Sequence, residues 1–333
     1  MKRVSLKDIA TAVGVSTATV SLVLSNKDQN GRVSKEMSAT IKNVASQMNY
    51  QPNLLAKSLQ SGSSKTIGLL VADITNSFFS QLVFYIQKEM QRYDYAVIII
   101  NTDEDSVQME RMISLLKSRQ VDGFIIAPTE SSDRLIEDLC KEKFPLVLLD
   151  RYFADINTCN VLSDNFKATH QATSYMIGKG CRKIAHMTYA SDLIQVSERE
   201  RGYAEAMSEA GIFDKSYIKR VRYTSLVEDV KIAMQELKEA HEPFDGILFA
   251  TNSISLSGVR ELMKDNAGVG EKMEIVCFDK NEGFEFLPIP ISYIMQPIAD
   301  IGRKAAELLM EQIVSDNNEC KGGTHLMPCV LEY

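Results

Sequence analysis

The strongest constraint on the fold is an alternation of short apolar runs with amphipathic segments that begins at Lys65. A first series has four runs of strand length, at 66–71, 96–100, 123–127 and 146–150. A second series has its runs at 184–187, 220–222, 246–250 and 274–279. Apolar runs that alternate with helices indicate parallel strands buried on both faces. The pattern predicts two α/β lobes in tandem, each a doubly wound parallel sheet.

Residues 5–25 predict two short helices joined by a tight turn. Ser5 and Asp8 form a capping box before a helix that ends at Gly14, and Ser16 can cap a second helix. The outer face of this second helix is small and mostly hydroxylic, with Thr17, Ala18, Ser21, Leu22 and Ser25. Such a surface fits a groove and predicts a helix-turn-helix that enters the DNA major groove. The alternative interpretation is an ordinary αα-hairpin whose surface has no binding function.

Composition excludes several classes of protein. The chain has 333 residues, 45% of them hydrophobic, but no run of about 18 apolar residues and no secretory leader, which favours a cytoplasmic location. The six cysteines form no CxxC pair, and the four histidines have no metal-ligand spacing, so neither a metal nor a cofactor is expected. The chain also lacks a phosphate loop and a GxSxG elbow, and we expect no enzyme.

Charge is distributed unevenly along the chain. Residues 1–62 hold eight Lys and Arg residues against three acidic residues, whereas the whole chain has a net charge of −7. A basic head on an acidic body fits phosphate contact at one end and discourages DNA from binding elsewhere.

The motifs of the head resemble those of a known family. The stretch from Leu6 to Ser21, then Val33-Ser34, then the segment 50–59 (YQPNLLAKSL), closely resembles the lac repressor/galactose repressor family of transcription regulators. The resemblance extends over nearly the whole chain. It implies a homodimeric regulator, a repressor, that binds near-palindromic double-stranded DNA. It also implies a small-molecule effector, which in this family is commonly a sugar. The effector would bind between two lobes that resemble a periplasmic sugar-binding protein.

The resemblance also implies domain boundaries. It gives a helix-turn-helix domain at 1–50, a hinge helix or linker at 51–62, and an effector-binding and dimerisation domain at 63–333. The amino-terminal lobe would take about 63–162 and 292–320, and the carboxy-terminal lobe about 163–291 and 321–333. The chain would cross between lobes near 161–164, 290–293 and 319–323. A final strand is predicted at 326–333, and no heptad tail follows it.

DNA contacts are predicted on the head and the hinge. The second helix would read base edges, basic and hydroxyl side chains would approach phosphates, and Leu59 would wedge into the minor groove. Leu22 stands where the family commonly has Arg, so apolar contact with a thymine methyl would replace a guanine contact. The predicted DNA-binding residues are Ser5, Lys7, Ser16, Thr17, Ala18, Thr19, Ser21, Leu22, Arg32, Lys35, Asn53, Ala56, Lys57 and Leu59.

Effector contacts are predicted just past the ends of the strands, where ligands bind in parallel α/β sheets. Carboxylates and amides can bind paired hydroxyls, arginine adds a fork of donors, and an aromatic ring stacks on a sugar. By resemblance, Arg199 and Asp279 match family effector positions. The predicted effector-binding residues are Asp73, Asn76, Phe78, Phe79, Arg151, Arg199, Asn252 and Asp279.

Several alternatives stay open at this point. Each polar residue could instead cap a helix or join the lobes, and the segment 53–61 could be a linker docked on the large domain. The chain as a whole could be a carbohydrate-binding receptor without a regulatory DNA role, or a DNA-binding protein that responds to no effector. A purine or another small metabolite could replace the sugar.

Overall fold

The computed structural model describes residues 4–25, 32–51, 62–240, 242–264, 273–315 and 322–333. The chain divides into two compact units, Met1–Ser64 and Lys65–Tyr333. No single described helix is long and apolar enough to span a membrane. One pair of helices meets the criteria of length and composition only when taken together, and these two helices are bent by 108° relative to each other.

That bent pair belongs to the smaller unit, which contains helices α1 (Leu6–Val13), α2 (Thr17–Leu24) and α3 (Lys35–Gln47). The predicted capping box is present, and Gly14 ends α1 with a φ of 76°, a conformation that glycine adopts without strain. The 108° bend between α1 and α2 lies within the range of a helix-turn-helix. Apolar side chains from all three helices are buried together, namely Ile9, Ala10, Val20, Val23, Ile41 and Ala45.

The larger unit alternates strands and helices along the chain. In order, its elements are β1 (Thr66–Val71), α4 (Ser77–Arg92), β2 (Ala96–Asn101), α5 (Ser106–Ser118), β3 (Gly123–Ile126), α6 (Asp133–Lys141), β4 (Leu146–Leu149), β5 (Cys159–Ser163), α7 (Asn165–Gly178), β6 (Ile184–Tyr189), α8 (Ile194–Glu209), β7 (Ile218–Val221), α9 (Leu226–Glu239), β8 (Gly246–Phe249), α10 (Asn252–Lys264), β9 (Glu274–Phe278), β10 (Ser292–Met295), α11 (Ile298–Val314), β11 (Gly323–Met327) and β12 (Val330–Glu332). Short 3₁₀ turns lie at Lys215–Tyr217, Tyr223–Ser225 and Glu282–Phe286.

These strands form two sheets of six, one in each lobe. The first has the order β11-β5-β4-β3-β1-β2 and is parallel throughout. The second has the order β12-β10-β9-β8-β6-β7, and only β12 runs antiparallel to its neighbour. The predicted fold class is therefore confirmed.

Helices cover both faces of each sheet. Leu69 and Leu70 of β1 are both fully buried but point to opposite faces, because strand side chains alternate. Leu69 packs with α4 and α11, whereas Leu70 packs with α5 and α6. The second sheet is covered in the same way, by α9 and α10 on one face and α7 and α8 on the other.

Two of the predicted lobe boundaries are wrong. The first crossing, after β5, lies where it was expected. The strand at Ser292–Met295 pairs with β9, so the second crossing comes after Met295 and not at 290–293. The strand at Gly323–Met327 pairs with β5 in the first sheet, which moves the third crossing from 319–323 to 328–329. The predicted strand at 326–333 is interrupted by Pro328, which has no N–H for a strand ladder.

Candidate functional site

The smaller unit exposes the predicted face of α2. The helix is fixed by its cap, because the Ser16 hydroxyl accepts a hydrogen bond from the Thr19 N–H at 3.1 Å. Val20 and Val23 are buried against the other helices, which turns the opposite side of α2 outward. The outward side consists of exposed Thr17 and Ala18 and half-buried Ser21 and Leu22.

The remaining predicted DNA contacts have three outcomes. Lys7, Arg32 and Lys35 have exposed side chains, as phosphate contact requires. The Ser5 hydroxyl donates to the Asp8 carboxylate at 2.7 Å, so it already serves the cap of α1. Four predicted contacts lie outside the described residues: Asn53, Ala56, Lys57 and Leu59.

In the larger unit, the carboxyl ends of both sheets border a cavity of about 410 Å³. All eight predicted effector residues line it: Asp73, Asn76, Phe78, Phe79, Arg151, Arg199, Asn252 and Asp279. A wider cavity of about 1030 Å³ shares part of the same wall. The size of the smaller cavity suits a small ligand.

Arg199 reaches this cavity from α8. Its Nε donates to Asn165 Oδ1 at 2.8 Å, and its Nη1 donates to the Ala250 carbonyl at 2.5 Å. The guanidinium carbon lies 3.6 Å from the centre of the Phe278 ring, a cation–π contact. Arg199 is thus held by the protein itself on the cavity wall.

Arg199, Gly202 and Tyr203 form an Arg-x-x-Gly-aromatic motif, and its glycine and tyrosine fix the position of α8. A Cβ added at Gly202 would lie 2.4 Å from the Phe166 carbonyl, so only glycine lets α8 pack this closely on α7. Tyr203 is fully buried, and its hydroxyl donates to the Ile184 carbonyl in β6 at 2.7 Å. The motif therefore places Arg199 by packing on both sides of its helix.

Asp279 follows β9 with a φ of 66° and is buried. Gln296 Nε2 donates to both of its carboxylate oxygens, at 2.9 and 3.0 Å, and Ser163 Oγ donates to Gln296 Oε1 at 2.5 Å. Burial raises the pKa of Asp279 to about 6, against the opposing effect of the Arg199 charge. Because Ser163 and Gln296 lie at the first two crossings between the lobes, this chain of hydrogen bonds connects the cavity to these crossings.

Arg151 forms the main ion pair of the wall. Its Nη1 and Nη2 donate to the Glu104 carboxylate at 2.7 and 2.9 Å, and its Nε lies 3.4 Å from Asp150 Oδ2. Nη1 also donates to the Pro128 carbonyl at 3.2 Å. The sequence pattern did not predict Glu104, although it lies just past β2, where the rule that found Asp73 also applies.

Aromatic and amide side chains complete the predicted set. The Phe78 and Phe79 rings meet edge to face with centroids 5.1 Å apart, and Asn76 Oδ1 accepts from the Phe78 N–H at 3.0 Å. Asn252 begins α10. Its Nδ2 atom has no hydrogen-bond partner among the described residues.

Two hydrogen bonds join the lobes across the cavity. The Tyr223 hydroxyl donates to Asp73 Oδ2 at 3.4 Å, and the Ser191 hydroxyl donates to the Glu130 carboxylate. Tyr223 and Ser191 follow β7 and β6 in the second lobe, and the two acids follow β1 and β3 in the first. Of these four lining residues, Asp73 was predicted, whereas Tyr223, Ser191 and Glu130 follow strand ends from which no effector contact was predicted.

His186 lies inside β6 with no exposed surface, and its ring stacks on Tyr203 with centroids 4.9 Å apart. Burial lowers the pKa of His186 to about 3, so the ring is neutral at pH 7. His186 is therefore a buried residue in the interior of the second lobe.

Comparisons with known proteins agree with this architecture. Residues 5–53 match the family model described as bacterial regulatory proteins of the lacI family. Residues 64–329 match the model described as periplasmic binding proteins and sugar-binding domain of the LacI family. The chain belongs to the LacI family. The second match begins at residue 64, next to the structural division between Ser64 and Lys65.

Relatives in the LacI family are similar over almost their whole length. The ribose operon repressor of Bacillus subtilis is 31% identical over 92% of this chain and 90% of its own. The transcriptional regulator RegA of Clostridium saccharobutylicum is 29% identical over 92% of both chains. The crystal structure of the lac repressor dimer bound to operator and an anti-inducer is 21% identical, with a TM-score of 0.85 over 100% of this chain and 98% of that one. Family members are transcription regulators and not enzymes.

Proposed function

We propose that this LacI-family regulator is a repressor that binds a near-palindromic operator. Its affinity for the operator is controlled by a small-molecule effector, a sugar, that binds in the cavity. The observation that carries the proposal is that one chain combines a helix-turn-helix, whose outer face is uncharged, with a cavity lined by residues of two lobes. Names of relatives support it, since they include ribose operon repressors and the repressor CytR of Escherichia coli.

In this proposal α2 lies in the major groove. Thr17, Ala18, Ser21 and Leu22 contact base edges, and Leu22 contributes apolar contact to a thymine methyl. Exposed Lys7, Arg32 and Lys35 approach phosphates, as do the hydroxyls of Ser16 and Thr19. The segment 53–61 orders on DNA and inserts Leu59 into the minor groove.

The effector acts through the angle between the lobes. Its binding residues are the eight predicted ones, and Gln296 couples the cavity to the crossings through its bonds to Asp279 and Ser163. A change in the angle between the lobes separates or aligns the two hinge segments of a homodimer. The hinge thus has two states, and both effector binding and DNA binding shift the equilibrium between them. The protein would act in the cytoplasm, where its DNA lies.

The central experiment selects bound duplexes from a random oligonucleotide pool, with and without a panel of sugars. The proposal predicts enrichment of one near-palindromic sequence and release by at least one small molecule. The proposal would be contradicted if the protein bound every duplex with the same affinity, lost that affinity as salt was added, and responded to none of the sugars in the panel.

A pair of matched variants tests the role of α2. Ala18→Glu places a carboxylate on the exposed face of α2 and should lower operator affinity at least about a hundredfold by repulsion from the DNA. Ala12→Glu makes the same change at an exposed position of α1 and serves as the control. Equal losses in both variants, at equal thermal stability, would mean that α2 does not enter the groove.

A second variant tests the hinge. Leu59→Ala should weaken binding to the selected operator more than binding to random duplex, because a wedge acts only on DNA that is kinked in register. The two affinities are measured in one salt titration, and an equal loss in both would exclude the wedge.

A further inference from the structure

The wall of the 410 Å³ cavity carries a strong excess of negative groups. Six carboxylates line it, against two guanidinium groups, and its described lining contains neither lysine nor histidine. The carboxylates belong to Asp73, Asp103, Glu104, Glu130, Asp150 and Asp279. A cleft lined by one sign of charge raises the local concentration of ligands of the opposite sign.

Both guanidinium groups are already engaged by the protein. Arg151 donates two short hydrogen bonds to Glu104, and two of the three nitrogens of Arg199 donate to Asn165 and Ala250. A phosphate or carboxylate on the ligand would therefore enter an acidic cavity in which most of the arginine N–H donors are already bonded to protein atoms. Leaving such a charge without a partner is costly.

Tyrosine rings stand beside the excess carboxylates. Tyr189 and Tyr223 have ring centroids 5.8 Å apart, and the Tyr223 hydroxyl lies 3.4 Å from Asp73 Oδ2. Thr75 also bonds to Asp73, but no cation pairs with this carboxylate among the described residues. Aromatic faces next to an unpaired carboxylate are the arrangement that stabilises a bound ammonium group.

Three buried polar atoms on the wall also lack partners among the described residues: Thr188 Oγ1, Gln195 Oε1 and Asn252 Nδ2. Thr188 is fully buried and Gln195 is 7% exposed. The Gln195 atom is an acceptor only, so a ligand must bring it a donor. Gln195 Oε1 therefore needs a donor on the ligand and Asn252 Nδ2 needs an acceptor, while the Thr188 hydroxyl can act as either. Hydroxyl groups on a ligand provide both kinds of partner.

We propose that the effector carries a protonated primary amine on a hydroxyl-rich frame, as in an amino sugar, with the ammonium group bound by Asp73 beside Tyr189 and Tyr223. This inference rests on the proposed function and narrows the ligand of the same cavity. It excludes phosphorylated and acidic sugars.

The test compares matched probes by calorimetry on the full-length protein. The probes are glucosamine, galactosamine and mannosamine, the three parent hexoses, and the 6-phosphates of these hexoses. We expect at least one amine to bind about tenfold or more tightly than its parent, and the corresponding phosphate to show no binding. If a neutral sugar or a phosphate binds as tightly as the amines, or if no amine binds, the inference is overturned.

A variant pair makes the test specific to charge. Asp73→Asn keeps an acceptor for Thr75 but removes the negative charge, and should lower amine affinity about ten- to a hundredfold. The affinity for any neutral sugar that binds should change much less. Asp155→Asn, at an exposed acid outside the cavity, should leave both affinities unchanged. Equal losses for amine and neutral probes in Asp73→Asn would contradict the proposed contact.

Operator binding in the same preparation separates the two proposals. If the selected operator is bound while amines fail, the inference about the amine fails alone. If no operator is bound either, the proposed function fails with it.

Discussion

The two lobes place an aspartate at the same point of their sheets. Asp150 follows β4 and Asp279 follows β9, the fourth strand from one edge in each case. Their φ angles are 64° and 66°, and their N–H groups donate to the next strand, at Val161 and Ile294. The two aspartates therefore have the same backbone setting.

Their side chains have different partners. Asp150 lies next to the buried Arg151, whose charge is shared with Glu104, whereas Asp279 accepts its hydrogen bonds from the neutral amide of Gln296. The pKa of Asp279 is raised because the effect of burial is offset only in part by the Arg199 charge and the Gln296 hydrogen bonds. The first lobe therefore holds a buried arginine paired with two acids, whereas the second lobe holds a buried carboxylate whose protonated form is favoured by burial.

The largest effect is expected from removing the cation of the first lobe. Arg151→Met would leave Glu104 and Asp150 without their partner in a site where the Arg151 side chain is only 6% exposed. Breaking a buried ion pair in this way should lower the free energy of unfolding by about 4 kcal/mol. Urea denaturation at pH 7 measures the loss.

The control is an exposed arginine that also pairs with a glutamate. Arg201 donates two hydrogen bonds to Glu198, but its side chain is 53% exposed. Arg201→Met should cost less than about 1 kcal/mol, because solvent screens such pairs. Similar losses for the two variants would mean that the Arg151 pair is not a buried one in solution.

A smaller effect, with a defined pH dependence, is expected from Asp279→Asn. Between about pH 4 and pH 6 the folded wild type binds more protons at this site than the unfolded chain, since its folded pKa is about 6. The contribution of Asp279 to the free energy of unfolding therefore falls as pH rises through this range. The Asp279→Asn variant lacks this pH-dependent contribution. Asparagine also tolerates a φ of 66°, so the substitution adds no backbone strain.

The measurement is the difference in unfolding free energy, wild type minus Asp279→Asn, at a series of pH values. This difference should fall by on the order of 2 kcal/mol between pH 4 and pH 7 and then level off. A difference that rises with pH would show that Asp279 is stabilised as a carboxylate, as in an ordinary ion pair.

Local patterns predicted much of this architecture. The caps of α1 and α2 and the apolar strand runs depend on neighbouring residues, so the sequence was sufficient for them. The cavity residues were found because parallel strands bring their carboxyl ends to one edge. The same rule applied to every strand end would also have included Glu104, Tyr189 and Tyr223.

Long-range pairing was not predictable in this way. The assignment of Ser292–Met295 to the second lobe depends on β9 and β12, and that of Gly323–Met327 depends on β5, more than 150 residues earlier. The Arg151–Glu104 pair joins residues 47 positions apart. Only Pro328 carried a local signal that the last apolar stretch is divided between two sheets.

The smallest effect should come from Asp150→Asn, which tests whether Glu104 alone can neutralise Arg151. The Asp150 contact is 3.4 Å long, and Arg151 would keep its two shorter bonds to Glu104, so the loss should stay below about 1 kcal/mol. Asparagine fits the φ of 64°, which removes backbone strain as an explanation. If urea denaturation instead gives a loss close to that of Arg151→Met, Asp150 is the main counter-charge. The two lobes would then differ because Asp150 has a cation directly beside it, and the contribution of Glu104 would be secondary.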